Sequence, residues 1–361
     1  MILSFSSPPV AVPKNISHMA EQKALSIRLD TLILGHDDVS KLLPMAECVG
    51  VMEETFKTLA RADALQPLRQ LMWLPDKKGV LGLMPSYLGS PKAVGAKIIT
   101  FFPGNLSTRY ESHQGAVLLF ECETGRLLAV LDASSITAIR TAAVSAVATN
   151  ALARRDASEL AILGSGTQAS MHLDAMTAAR EIKLVRVWSR NPDHAKRFAK
   201  RESERRGYPV KAFSSAEDAV AGCDLICTTT AATAPVLLGK WLEPGMHVNA
   251  IGASASPFRE LDSEVLVRSK LFVDRRESTI NESEDFLAPK REGLIGDDHI
   301  RGELGEVLLG KVAGRVSDDE VTLFKSLGLA VEDLASARYI YSKAETANLG
   351  TRVEFSAERN S

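Results

Sequence analysis

The chain is 361 residues long, 45% hydrophobic and 24% charged, with 43 basic residues against 45 acidic ones and a formal net charge of -2. That length suggests about two domains, the composition excludes a fibre or a long disordered tail system, and the balanced charge leaves no surplus to hold a phosphate polymer, so no nucleic-acid partner is expected. No stretch reaches the ~20 apolar residues that span a bilayer, so no membrane association is expected.

From Met1 to Lys23 a short apolar start is broken by Pro8, Pro9 and Pro13 and lacks the basic and apolar regions of a secretory signal. Residues 1–23 are therefore expected to be a flexible extension of a cytoplasmic protein. The four cysteines, Cys48, Cys122, Cys223 and Cys227, make no C-x-x-C pair. They read as buried small hydrophobes in a reducing compartment, with a reactive free thiol as the alternative.

Val51, Met52, Phe56, Leu59 and Ala60 recur at helical spacing and predict an amphipathic helix over 51–61. Short apolar runs follow at 71–74, 80–84, 94–102, 116–120 and 127–131. Pro75-Asp76, Pro85, Pro103-Gly104-Asn105 and Thr124-Gly125 punctuate them as turns do, and 121–126 reads as a tight hairpin. A mostly antiparallel sheet with a flanking helix is expected.

From Ser134 the texture changes. Residues 135–153 are Ala-rich and predict a long helix with Ser or Thr at its N-cap. Strands at 160–163, 184–188, 225–228 and 248–251 then alternate with helices at 168–179 and 192–206, the latter with Pro192 in its first turn, where proline is tolerated. This alternation predicts an α/β fold, a Rossmann-type doubly wound parallel sheet covered by helices. A last helix is expected over 329–341, from Leu329, Val331, Leu334, Ala337 and Ile340.

The run Leu160-Ala161-Ile162-Leu163-Gly164-Ser165-Gly166-Thr167-Gln168-Ala169 carries a buried strand into G-x-G-x-x-A. Gly164 allows the tight turn, Gly166 lets the backbone approach a pyrophosphate, and Ala169 keeps helix and strand close. The free N–H groups and positive dipole end of the helix would face the phosphates. NAD-selective sites carry a carboxylate about 20 residues on. Here the second strand ends in Ser189-Arg190 instead, which favours NADPH, with NADH possible, because both side chains can bond a 2′-phosphate. A solvent-exposed surface arginine is the alternative.

Three cations are candidates for a substrate carboxylate. Lys97 interrupts the apolar run Gly95-Ala96-Lys97-Ile98-Ile99, and a buried lysine needs a partner or a task; an edge-strand gatekeeper is the alternative. Arg140 lies between Ile139 and Thr141 in the Ala-rich helix, where a helix-surface charge is the alternative. Arg69 precedes a strand. Together they fit capture of a carboxylate, for which arginine offers a bidentate fork. Seven histidines form no H-x-H or H-x-x-x-H pair, so no metal is expected. Gly-x-Ser-x-Gly is absent, so an α/β-hydrolase elbow is not supported.

Several ordered motifs resemble the ornithine cyclodeaminase/μ-crystallin family. They are Ala96-Lys97-Ile98-Ile99-Thr100, Leu131-Asp132-Ala133 with Thr137-Ala138-Ile139-Arg140-Thr141, the glycine turn, Ile251-Gly252-Ala253-Ser254, Arg259-Glu260-Leu261-Asp262, Gly302-Glu303-Leu304-Gly305-Glu306 and Phe324-Lys325-Ser326-Leu327-Gly328. The resemblance runs from about Leu29 to about Leu349. It implies a homodimer with a discontinuous substrate/dimerisation domain, 24–134 and 327–361, around a dinucleotide-binding domain, 135–326. It implies that Arg69, Lys97 and Arg140 bind the substrate carboxylate, with Lys97 beside the reacting carbon. Thr141, Ser165, Thr167, Gln168, Thr228 and Thr229, with the turn and Ser189-Arg190, are the expected cofactor contacts.

One departure selects within the family. The cyclodeaminases and the alanine dehydrogenases that look like them carry an aspartate where this chain has Ser254, which is similar to the serine of the ketimine reductases. A serine cannot act as a carboxylate base at neutral pH, so Ser254 and Lys97 are the expected catalytic residues of NAD(P)H-dependent cyclic imino acid reduction. Ornithine cyclodeamination, an amino-acid dehydrogenase activity, or non-enzymatic binding of NADPH and a small ligand are the alternatives.

Overall fold

The computed structural model describes residues 30–355, so the expectation for residues 1–23 lies outside it. The chain starts with β1 (Asp30–Leu34), α1 (His36–Leu42) and α2 (Met45–Ala60), so the helix expected from Val51 begins earlier and has a second helix before it. Then come β2 (Ala64–Leu65), β3 (Gln70–Trp73), β4 (Val80–Gly89), β5 (Lys92–Phe101), β6 (His113–Phe120) and β7 (Leu127–Asp132). In β4 the odd and even residues separate cleanly, with Val80, Met84, Ser86 and Leu88 buried, as a strand with one covered face requires. The β6–β7 turn closes as the sequence suggests: Glu121 N donates to Arg126 O at 2.8 Å, and Gly125 takes a left-handed φ of 75°.

α3 (Ala133–Leu152) follows β7 directly. Its N-cap is Asp132, not a serine or threonine. The Asp132 carboxylate accepts from Ser135 N at 2.8 Å and from Ser134 N at 3.4 Å, and Ser135 donates its hydroxyl to the cap instead of providing it. α3 is buried on almost every side because it lies between the two sheets, packed on α2 and on the helix that follows.

The second sheet consists of β8 (Glu159–Leu163), α4 (Thr167–Ala179), β9 (Leu184–Trp188), α5 (Pro192–Arg206), β10 (Val210–Ala212), β11 (Leu225–Thr228), β12 (His247–Ala250), β13 (Lys270–Val273), β14 (Ile300–Glu303) and β15 (Thr322–Lys325) with their helices. Its strands are all parallel, in the order β10-β9-β8-β11-β12-β15-β13-β14. The order reverses between β8 and β11, the switch point at which doubly wound sheets bind ligands. α6 (Ala330–Ala347) then returns to pack on β4, β5 and β6, and β16 (Thr351–Glu354) pairs antiparallel with β1. α6 runs six residues past the expected Tyr341; that extra stretch is largely exposed, so apolar periodicity could not reveal it. The first sheet is antiparallel except where β1 meets β7. Three cysteines are buried, and burial pushes the thiols of Cys48, Cys223 and Cys227 up to about 12; Cys122 is only half-buried, contrary to expectation.

Candidate active site

The glycine turn leaves β8 at the switch point. Gly164 has a φ of 129°, and a Cβ there would come 2.4 Å from Thr229 Oγ1, so the position tolerates only glycine. Thr229 closes the turn from β11, its backbone N and its hydroxyl both donating to Leu163 O. Gly166 is the N-cap of α4 with no side-chain cap, so the N–H groups of Thr167, Gln168 and Ala169 have no intrahelical acceptor. A Cβ at Gly166 would meet nothing within 4 Å. The cradle therefore fits a pyrophosphate, with Gly166 and Thr167 exposed and Ala169 buried against the strand. Ser165 Oγ donates to Ser189 Oγ at 3.1 Å, which brings the turn and the tip of β9 together. The next residue, Arg190, is exposed. Thr141 is buried within α3. Thr228 is also buried, but its hydroxyl donates to Glu260 at 2.8 Å.

The three cations converge between α6 and the first sheet. Lys97 stands on β5, a central strand, opposite Met84 on β4 and Val117 on β6, and is only 3% exposed. Arg140 is equally buried on α3. The gatekeeper and surface-charge alternatives are thus excluded. Asp333 bridges the two: Lys97 Nζ lies 2.6 Å from its Oδ2, and Arg140 Nε donates to its Oδ1 at 2.9 Å. Arg140 Nη1 donates to Glu332 Oε2 at 2.6 Å. Arg69 donates to Glu282 at 3.2 Å and to the carbonyls of Leu327 and Gly328 at 3.1 Å. Gly328 has a φ of 80°, and a Cβ there would sit 2.6 Å from Arg140 Nη1, so both arginines reach the same turn. Asp274 shapes that turn by accepting from the backbone N of Leu327 and Gly328.

Charges here perturb one another strongly. Burial, helped by Arg140 and Arg69, pulls the Lys97 ammonium down to about 8, against the attraction of Asp333. Burial would also lower Arg140, but Asp333 and Glu332 override it and push its pKa up. Burial lifts Glu332 to about 7, while Arg140 and Lys97 hold Asp333 low in spite of burial. Burial and the nearby Lys97 take His113 down to about 4, so it is neutral at physiological pH. Asp274, Glu282, Glu332 and Asp333 escape sequence reasoning. A signal existed for Asp333: it lies four residues before Ala337 and seven before Ile340, a carboxylate within an apolar stripe.

Thr137 links the two groups of residues. Its hydroxyl accepts from Lys97 Nζ at 3.4 Å, and its carbonyl accepts from Gln168 Nε2 at 3.5 Å. Across the site, Glu260 is buried and accepts from both the backbone N and hydroxyl of Thr230 and from the backbone N of Gly252 and Ala253. Lys325 donates to Ala253 O at 2.7 Å and to Asp285 at 2.8 Å. Half-buried Ser254 follows this anchored pair. Phe258, in the same loop, meets Phe101 of β5 edge to face at 5.8 Å.

A parallel sheet with a glycine turn at its switch point, joined through α3 to a mostly antiparallel sheet that buries cations, defines a Rossmann-type two-sheet α/β protein. The chain belongs to the ornithine cyclodeaminase/mu-crystallin family, whose model matches residues 29–348. It is 44% identical over 277 residues to the ketimine reductase mu-crystallin of Mus musculus, covering 77% of this chain and 84% of that one. The structure of Thermococcus litoralis Δ1-pyrroline-2-carboxylate reductase in complex with NADH and L-proline superposes with a TM-score of 0.87 at 38% identity, over 90% of this chain and 100% of that one. An archaeal alanine dehydrogenase dimer with bound NAD gives 0.85 at 34%, over 90% and 99%.

Proposed function

We propose that the protein is an NAD(P)H-dependent reductase of cyclic imino acids, converting Δ1-pyrroline-2-carboxylate to proline and Δ1-piperideine-2-carboxylate to pipecolate. The observation that carries this reading is the link through Thr137, which ties the buried cations to the phosphate-binding turn. A substrate held by its carboxylate is thereby brought to the mouth of the dinucleotide site. The similar reductases support the substrate class.

Gly164, Ser165, Gly166, Thr167, Gln168 and Ala169 would hold the pyrophosphate, and Thr141, Thr228 and Thr229 would border the nicotinamide half. When bound, the dinucleotide supplies a hydride to the imine carbon. Arg140 and Lys97, with Arg69, bind the carboxylate and fix the ring in a near-attack pose. The Lys97 ammonium holds a proton at Nζ, and the Ser254 hydroxyl hydrogen-bonds the imine nitrogen, directly or through a water. As the carbon gains the hydride, the nitrogen gains one proton relayed from the Lys97 ammonium, which solvent then reprotonates; the C=N bond becomes a C–N single bond, and the product is the saturated ring amine with its carboxylate intact. Ser189 and Arg190 select NADPH by bonding its 2′-phosphate; the related structures hold NADH or NAD, which supports the nicotinamide dinucleotide itself. The first sheet with α6 forms the substrate domain, and the parallel sheet forms the dinucleotide domain.

The test follows nicotinamide absorbance with the pure protein and both cyclic imines, and ammonia release from ornithine with NAD. Imine-dependent NADPH loss is expected. Brisk ammonia release with inert imines would overturn the reading in favour of the lyase. Ser254→Asp should impair imine reduction, because a new carboxylate there competes with the substrate's own for the cations.

A further inference from the structure

We propose that Asp333 is a positioning residue for the reduction: one carboxylate, supplied by α6, that spaces Lys97 and Arg140 for the substrate carboxylate and keeps Lys97 charged. It rests on the assignment of Lys97 to the substrate carboxylate made above.

The geometry is specific. The two cations come from different elements, β5 and α3, and nothing in their local sequence sets the gap between them. Asp333 sets it, with Oδ2 at 2.6 Å from Lys97 Nζ and Oδ1 at 2.9 Å from Arg140 Nε. All three side chains are buried, so solvent screens the contacts little. Asp333 lies in the first turn of α6, where the dipole favours a carboxylate. Glu332, next to it, takes Arg140 Nη1 and leaves Asp333 the Nε edge. α6 is anchored beneath β5 by apolar packing: a Cβ at Gly95 would come 2.9 Å from Leu334 Cδ1. The clamp therefore has a rigid base.

The charges facing Lys97 come from several elements. Asp333 and Glu332 face it from α6, Arg140 from α3, and Arg69 from the segment before β3. On β6, His113 feels Lys97 and is held neutral by burial and by the two cations. Asp333 opposes Arg140, Arg69 and burial. A loss of its charge therefore leaves a buried ammonium among like charges, and Lys97 should lose its proton at lower pH. An opposite charge at this range shifts a pKa by about 1–3 units.

The experiment uses the full chain with NADPH and Δ1-pyrroline-2-carboxylate, comparing the wild type with Asp333→Asn. Two quantities are read: the alkaline limb of the kcat/KM profile, and the titration of the Lys97 Nζ by NMR on lysine-labelled protein, assigned with Lys97→Met. The substrate's own ionisation is common to both proteins and cancels. Both readouts should move down by about one unit or more in Asp333→Asn, with NADPH binding retained. An unmoved Lys97 titration would overturn the proposal and leave the reductase reading standing. A shifted titration with an unshifted kcat/KM limb would overturn the assignment of Lys97 to the reaction, and the positioning role with it. If Asp333→Asn does not fold, Asp333→Glu keeps the charge but moves it by a methylene: kcat/KM should fall at least about tenfold with the limb unmoved. Wild-type kcat/KM in Asp333→Glu would overturn the positioning role.

Discussion

Lys97 and Arg190 sit at opposite extremes of environment, and their substitutions separate two tasks. Lys97 is buried among charges, so Lys97→Met removes the ammonium but keeps most of the stem. Turnover should be almost lost while NADPH still binds, as read by nicotinamide fluorescence. If activity per folded molecule survives while thermal stability falls, Lys97 is structural. The same residue sets a pH dependence. With its pKa near 8, Lys97 is an ammonium below that pH and neutral above it. Carboxylate capture needs the charged form, so kcat/KM should fall as pH rises through about 8. Arg190 is exposed at the tip of β9. Arg190→Ala should weaken NADPH by ~1.5–3 kcal/mol, about tenfold to a hundredfold, and leave NADH nearly unchanged. Equal losses for both cofactors would remove the phosphate contact from the account.

Loops at the carboxyl edge of the parallel sheet are held from below by one buried carboxylate. Glu260 gathers donors from Thr228, Thr230, Gly252 and Ala253, so the ends of β11 and β12 share a single anchor. Glu260→Gln replaces one acceptor oxygen with a donor that faces N–H groups. A destabilisation of ~2–3 kcal/mol is expected by thermal or denaturant unfolding. Weaker cofactor binding should accompany it, because Thr228 and Thr229 belong to the same edge. An unchanged melting temperature would show that these contacts are replaceable. The glycine turn contrasts with this anchor. It was legible because its requirements are local: a positive φ at Gly164 and an open Gly166. Glu260 shows in the sequence only as part of a motif, since three of its five donors come from Thr228 and Thr230, at least 30 residues away on another strand end.

At the scale of the molecule, the outer strand β3 is exposed at all four positions, with Met72 59% and Trp73 42% exposed and Leu65 of β2 more exposed still. Contiguous exposed apolar side chains on a sheet edge mark an association surface. A homodimer through this edge is therefore proposed, and the dimer of the similar alanine dehydrogenase supports the assembly state. Met72→Lys should weaken self-association at least about tenfold, ~1.4 kcal/mol. Light scattering over a concentration series reads it. A monomeric wild type, or an unaltered dimer in Met72→Lys, would remove this edge from the interface.

The sequence by itself determined the features whose cause is local. The apolar runs of β4 and β5, the turn at 121–126, the parallel-sheet texture after Ser134 and the glycine turn all follow from stretches of a few residues and from backbone rules. The exposed tail of α6 and the Asp132 cap show the limit even there: one has no apolar period, and the other depends on which of several adjacent polar residues faces the first N–H groups. Tertiary structure decided where the cations sit and what they pair with. Lys97 looked equally like a gatekeeper or a ligand until β5 proved central, and Arg140 like a surface charge until α3 proved enclosed between the sheets. Their partners lie far along the chain, Asp333 being 193 residues from Arg140. Periodicity reports which face of an element is buried, but a buried charge is matched only when a distant element supplies its counter-charge.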